Sequence, residues 1–397
     1  MSKVMAVNSG SSSLKFQLFD MPSATVLTSG NVERIGLEMG IFGINVNGEK
    51  ISKEVPVPNH QVAVDLLLKA LIEYGIVKDL SEIQGAGHRI VQGGPYFSES
   101  VKVDDDVVAK VRELIDIAPL HNAAHLTCYE AFKNALPNIE HVFVFDTAFH
   151  QTMEPDSYMF PVPYEWYSDY KVRKYGAHGT SHKFVAERTA ELMNKDIKDL
   201  NLITLHLGSG ASITAIKGGK CINTSMGLSP LGGIMMGTRC GDIDPTVVYF
   251  MSKKLNCTPE EMETYLNKKS GMAGVSGISS DSRDVEAALK QGNERAKLTY
   301  DLYVNRVINM VGGYVMQLGH VDALTFTAGL GEHATLVREM ICKKLEEGLG
   351  VKIDYELNAG CHKEAELSTP ESKVRVFVVP TNEELAIVKD TCRILGL

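Results

Sequence analysis

One local pattern occurs twice, about half a chain apart. Residues 4–19 read V-M-A-V-N-S-G-S-S-S-L-K-F-Q-L-F, and residues 201–216 read N-L-I-T-L-H-L-G-S-G-A-S-I-T-A-I. In each, an apolar run enters a turn of Gly and Ser and an alternating strand leaves it, which is a hairpin signature. In the first copy the apolar residues end at Asn8, the turn covers 9–13, and Leu14, Phe16 and Leu18 alternate with Lys15 and Gln17. A further strand is expected after each hairpin, over 25–32 and 220–224. Such spacing predicts a duplicated fold, two related domains that each offer a hairpin tip to a shared cleft. Both tips suit an anion: small residues expose N–H groups and hydroxyls, Gly10 frees the backbone, and Lys15 adds a positive charge.

With 397 residues the chain has room for two or three domains, and its 44% hydrophobic and 22% charged content is that of an ordinary globular protein. A net charge of −9 argues against nucleic acid as a partner, since phosphate neutralisation needs a basic face. It leaves room for a small anion held by a local basic cluster. The 7 cysteines are odd in number and scattered, with no C-x-x-C, as in a cytoplasmic protein with reduced thiols. The first residues do not read as a signal peptide, and no apolar run approaches the ~20 residues of a membrane span. The expected setting is therefore the cytoplasm, with no membrane partner.

Along the chain, 41–57 alternates as further antiparallel strand and 62–74 is amphipathic helix. In 85–95, G-A-G-H-R-I-V-Q-G-G-P, Arg89 is set among glycines that would let a ligand approach closely. Asp104, Asp105 and Asp106 open a helix, in keeping with its macrodipole. His121 stands just before the next helix. A buried strand, H-V-F-V-F, ends at Asp146, where open α/β sheets bind ligands. Residues 151–175 connect to the second half. His178 lies among small residues, exposed and mobile, with Ser181 capping the following helix. The loop 229–245, S-P-L-G-G-I-M-M-G-T-R-C-G-D-I-D-P, holds Arg239 much as the earlier loop holds Arg89. Thr258-Pro259-Glu260-Glu261 is a capping sequence, and 279–284 starts another helix. A long amphipathic helix spans 293–318. Residues 322–333 read as strand, glycine turn and helix start, a form that presents N–H groups to a nucleotide. Residues 374–379 are the last strand and 385–395 the closing helix.

Three phosphate-type turns (9–13, 208–212 and 329–332), two glycine-set arginines, two candidate histidines and a strand-end aspartate point to phosphoryl transfer, which needs cations and N–H cradles more than a nucleophile. There is no G-x-x-x-x-G-K-[ST], no G-x-G-x-x-G and no zinc-type cluster.

The strings N-S-G-S-S-S-L-K at 8–15, G-H-R-I-V at 87–91, F-D-T-A-F-H-Q-T-M at 145–153, G-T-R-C-G-D-I-D-P at 237–245 and P-T-N-E-E at 380–384 resemble the acetate kinases of the acetate/propionate kinase family, essentially end to end. The resemblance implies an α/β fold of duplicated actin/sugar-kinase/Hsp70-like (ribonuclease H-like) domains, with mixed sheets flanked by helices. It implies domains at 1–148, rejoined by the helix at 384–397, and at 149–383, and a homodimer joined through the second. It also implies transfer from ATP to acetate with Mg2+, or Mn2+ in its place. By the same resemblance, Asp146 is the essential carboxylate, and Arg89 binds acetate and acts with Arg239 on the phosphoryl group. His178 hydrogen-bonds that group, with His121 nearby. Asn8 and Glu383 hold the metal. Lys15, with Ser11 and Ser13 of its turn, meets the ATP phosphates. His206, Leu207, Gly208, Ser209, Gly210, Asp281, Ser282, Arg283, Gly329, Leu330, Gly331, Glu332 and His333 form the nucleotide pocket. Val91, Leu120 and Pro230 line the acyl pocket. Arg89, Asp146, His178 and Arg239 are expected to converge on one phosphoryl position.

Four positions depart from the family pattern: Gln92 for His, Ala177 for Phe, Ser209 for Asn and His333 for Asn. Ala177 removes an aromatic wall, so a wider site that takes propionate or another short acyl chain is the nearest alternative. A nucleotide-switch protein of the same fold is a distant one, because a switch has no use for two loop-borne arginines.

Overall fold

The computed structural model describes residues 2–119 and 121–397. The chain divides into two compact units, Met1–Gln151 with Asn382–Leu397, and Thr152–Thr381.

In the first unit, β1 (Ser2–Gly10) and β2 (Ser13–Met21) form the first hairpin, in a register from Ser2↔Met21 to Gly10↔Ser13. The turn is therefore only Ser11 and Ser12, shorter than the sequence suggests, because ladder pairing carries Ser9 and Gly10 into the strand. Next come β3 (Thr25–Glu33), β4 (Gly40–Val46), β5 (Glu49–Val55), β6 (Ile83–Ile90), β7 (Val101–Lys102) and β8 (Glu140–Phe145), in the order β5-β4-β3-β2-β1-β6-β8-β7. The pairs β1–β6 and β6–β8 are parallel. One face of the sheet packs on helices His60–Glu73 and Asn122–Ala135 through Val7, Leu14, Phe16, Leu67 and Phe132. The other face takes the closing helix, Glu383–Leu395, on Val4, Ala6, Val142 and Val144.

The second unit has β9 (Asn201–Leu207), β10 (Ala211–Lys217), β11 (Lys220–Thr224), β12 (Ala323–Thr327), β13 (Ala365–Glu366) and β14 (Arg375–Val378), ordered β11-β10-β9-β12-β14-β13. Its core gathers Ile203, Leu205, Ile213, Phe326 and Val376 with the helix Glu294–Leu318, which the Asn293 side chain caps. Without β4, β5, β7 and β13, both sheets repeat one arrangement: three antiparallel strands, then two more added parallel to the first. The duplication read from the two hairpins thus extends to whole sheets, flanked by helices as expected.

Gly85 and Gly87 have a different purpose from the one expected. They lie within β6, and it is the closing helix that comes close. A Cβ on Gly87 would overlap Thr391 Oγ1 and stand 2.6 Å from Ile387 Cγ2, and one on Gly85 would be 2.7 Å from Leu395 Cδ1. Gly87→Ala should therefore cost about 2 kcal/mol by overpacking, read as a lower urea midpoint by circular dichroism. An unchanged midpoint would mean that the helix shifts without penalty.

Candidate active site

Arg89 and Asp146 come from adjacent parallel strands. Arg89 is next to last in β6, and Asp146 directly follows β8, its N–H donating to Ile90 O at 2.9 Å. Arg89 Nε lies 3.0 and 3.1 Å from the two Asp146 oxygens, Nη2 2.6 Å from Oδ2, and Nη1 3.3 Å from Asn8 Oδ1. A guanidinium has five N–H bonds, so one hydrogen on each Nη has no acceptor among the described residues. The Asp146 side chain is 1% exposed and that of Arg89 21%. Burial disfavours the Arg89 charge, but Asp146, Glu383 and Glu384 outweigh it and hold its pKa above the ordinary value. Glu383 is shifted up, first by burial and then by repulsion from Asp146 and Glu384, with Arg89 and Lys15 opposing. Asn8 and Glu383 are hard oxygen donors beside surplus negative charge. No three His, Cys, Asp or Glu among the described residues form a metal cage. That set fits Mg2+, which one or two carboxylates hold together with substrate phosphates.

Around this cluster, the Val91 N–H donates to His125 Nδ1 at 3.4 Å. Burial, with the Arg89 charge, lowers the His125 pKa to about 3, so its ring is neutral. His121 precedes the helix Asn122–Ala135, its ring 6.3 Å from that of His125. His60 Nε2 meets Gly10 O at 2.9 Å and steadies the hairpin tip. Lys15 is exposed and faces a hollow of about 330 Å³ with Asn31, Asn45, Lys50 and Glu384. Leu120 lies outside the described residues.

In the second unit His178 is not exposed as expected. It is half-buried, in a left-handed conformation (φ 58°), and its ring stacks on His206 at 4.1 Å between centroids. Its Nδ1 lies 2.8 Å from Ser212 Oγ. Ser181 is no cap: the helix Gly179–Met193 begins two residues earlier, and the Ser181 hydroxyl sits 2.8 Å from His206 Nδ1 and accepts from Thr381 Oγ1. At the second hairpin tip, a Cβ on Gly210 would lie 3.5 Å from His178 Nε2 and 3.3 Å from Arg239 Nη1. The imidazole edge and the guanidinium therefore flank one glycine. Arg239 Nη1 donates to Pro230 O at 3.1 Å, and no carboxylate among the described residues pairs with Arg239. Burial lowers its pKa. The likeness of Arg239 to Arg89 in sequence does not extend to their partners.

A cavity of about 650 Å³ is lined by Gly208, Ser209, Asp281, Ser282, Arg283, Gly329, Leu330 and His333, together with Gly237, Met272 and Tyr303. This is the size of a small-molecule site. Other residues expected there do not line it. Leu207 is a core strand residue, His206 stacks on His178, and Gly331 is buried. Glu332 Oε1 accepts from Ala328 N (2.8 Å) and Thr381 N (3.2 Å). Ala177 is 2% exposed in the unit's apolar core, so no open space is left at its Cβ. Sequence reasoning missed Ser212, His182 and Arg338. Arg338 is fully buried and donates to Gly331 O and Glu332 O at 2.9 and 2.8 Å, which braces the turn beside the cavity. The four-residue spacing of His178 and His182 was the available signal for His182.

Glu383 provides a test of the charge balance. A carboxyl whose folded pKa is raised binds its proton more tightly in the folded state. Its ionisation therefore removes stability as pH rises from the unfolded value through the folded one. Glu383→Gln should raise Tm at about pH 8, and the gain should shrink as pH falls towards about 5. A gain that does not vary with pH would mean that another contact is responsible.

The chain matches the Acetokinase family over residues 3–389. It is 51% identical to an acetate kinase of Geobacillus sp. (strain WCH70), over all of both chains. The crystal structure of Porphyromonas gingivalis acetate kinase superposes with a TM-score of 0.95 at 45% identity, over all of both chains. A propionate kinase from Francisella tularensis gives 0.93 at 38% identity, over 99% of this chain and all of that one. Full-length agreement of this kind, on top of the Arg89–Asp146 cluster, makes the chain a member of the acetokinase family.

Proposed function

We propose that the protein transfers the γ-phosphoryl group of ATP reversibly to acetate, giving acetyl phosphate and ADP. The observation that carries this is the Arg89 guanidinium. It is fixed by a buried carboxylate, yet one hydrogen remains on each Nη without an acceptor among the described residues, which suits a small carboxylate. Acetate is already ionised at neutral pH. One of its oxygens attacks phosphorus in line, the bond from phosphorus to the ADP oxygen breaks, and no proton need be removed. Asp146 then acts by holding the Arg89 fork rather than as a base. Arg239 and the His178 Nε2 edge, on either side of Gly210, are donors for the charge on the transferring group. The 650 Å³ cavity would take the nucleotide. Asn8 and Glu383 would hold Mg2+, or Mn2+ in its place. Bound there, the metal would neutralise charge on the ATP phosphates.

The first unit, with its closing helix, is thus the acetate-binding domain and the second the nucleotide-binding domain. A homodimer through the second unit is supported by the helix Pro245–Leu255, which buries none of its residues and leaves Val247, Tyr249 and Phe250 46%, 63% and 54% exposed. No described helix is long and apolar enough to cross a membrane, which accords with a cytoplasmic setting.

Propionate is the alternative acceptor, and the closed space at Ala177 does not favour it. A hydroxylamine trap of the acyl phosphate, run with ATP and acetate, propionate or butyrate, should give the highest kcat/KM with acetate. Arg89→Lys should lower kcat about 100-fold or more, because a point charge cannot reproduce the fork. Absence of an ATP-dependent product with all three acids would overturn the proposal, and propionate in the lead would reassign the acceptor.

A further inference from the structure

Behind His178 runs a chain of hydrogen bonds that ends in the core. His178 Nδ1 meets Ser212 Oγ at 2.8 Å, Ser212 Oγ meets His182 Nε2 at 2.7 Å, and His182 Nδ1 meets Thr204 Oγ1 at 2.7 Å. Ser212, His182 and Thr204 are each 0% exposed. Each hydroxyl has one hydrogen, and each neutral imidazole has one N–H and one acceptor nitrogen. The chain can therefore run in only two directions. In one, Thr204 donates to His182 Nδ1, His182 Nε2–H donates to Ser212, and Ser212 donates to His178 Nδ1. In the other, every bond is reversed.

Thr204 decides between them. Among the described residues its hydroxyl meets only His182 Nδ1. In the reversed direction the Thr204 hydrogen would be buried with no acceptor, which is costly. In the forward direction it is satisfied. The forward direction leaves the His178 proton on Nε2, the edge beside Gly210 and Arg239.

We propose that Thr204, His182 and Ser212 are positioning residues that fix His178 in its Nε2–H tautomer and so aim a neutral N–H donor at the side of the Gly210 tip shared with Arg239. Only the consequence for turnover rests on the kinase reading; the tautomer does not. Without the relay, Nδ1 loses its donor, the Nδ1–H form becomes populated and the ring loses its anchor. Protonation restores an Nε2–H whichever tautomer preceded it. The groups around His178 that carry or gain charge include His206 on its face, His182 beyond Ser212 and Arg239 beside Gly210.

Two readouts test this. Protein labelled with 15N at histidine, examined by long-range 1H–15N correlation at about pH 8, should show Nε2–H for both His178 and His182. His178 is assigned by the loss of its signal in His178→Gln. In Ser212→Ala and Thr204→Val the His178 shifts should move towards a mixture of tautomers. His178 protonated on Nδ1 in the unaltered protein, or unmoved in Ser212→Ala, would overturn the proposal even if the protein made no acetyl phosphate. In the assay, Ser212→Ala should lower kcat about 10-fold at about pH 8 with KM for ATP and acetate held, and the deficit should narrow as pH falls towards about 6. Ser212→Thr, which keeps the hydroxyl, should restore most of the rate. A deficit of equal size at every pH, or one that Ser212→Thr shares, would mean that Ser212 serves packing alone.

Discussion

An arginine buried against an aspartate at the ends of two parallel strands is the constraint on which the first unit depends. Such a pair is poor value as a stabilising device, since desolvating both charges offsets most of their attraction. Its worth lies in preorganisation. The strand pairing that sets Asp146 N on Ile90 O at 2.9 Å also sets the carboxylate against the Arg89 fork. Neither group has to be ordered when a ligand arrives. Glu383 and Glu384 add negative charge to the cluster, and the Glu383 pKa is raised first by burial and then by Asp146 and Glu384, against the pull of Arg89.

Arg239 is the opposite arrangement. It too is largely withdrawn from water, but it rests on the Pro230 carbonyl with no carboxylate beside it among the described residues. A buried cation without a counterion is destabilising until an anion supplies the missing charge. The two arginines thus divide the electrostatic work. One is locked against a carboxylate as a directional fork, and the other has no such partner among the described residues, which in the proposed function suits them to acetate and to the transferring group respectively. Both tasks call for guanidinium, whose charge persists under burial that would deprotonate a lysine.

Local features were legible in the sequence. The hairpins, the Thr258 capping box and Asp146 at a strand end each depend on a few neighbouring residues and were read from them. What escaped depended on which element lies across from which. Gly87 resembled a ligand-approach glycine until the closing helix, some three hundred residues later in the chain, was seen to occupy its missing Cβ. Glu332 belonged to a nucleotide-type turn by position, but Thr381 N draws its carboxylate away. Ser181 resembled a helix cap because nothing local revealed that His206 would face it. Arg89 and Arg239 were indistinguishable in sequence for the same reason: a charge is defined by its partners, and these come from distant strands.

The duplication explains why one backbone device serves two purposes. Each sheet places its first hairpin beside the strand that leads to the parallel half, so each tip is held by the same ladder. What differs is the set of side chains behind the tip. The first is tied at Gly10 O by His60 and has a carboxylate-rich cluster on the adjoining strand ends. The second is narrowed to Gly208, Ser209 and Gly210, with His178 and Arg239 beside Gly210. A Cβ at Gly210 would touch both the His178 ring, at 3.5 Å, and the Arg239 guanidinium, at 3.3 Å, so both groups border this one glycine. In the proposed relay through Ser212, His182 and Thr204, the imidazole would present a neutral Nε2–H beside Arg239. A cationic ring there would repel Arg239 before any phosphate arrived. Donor strength without added charge is what a histidine of fixed tautomer supplies, and neither a second arginine nor a lysine would.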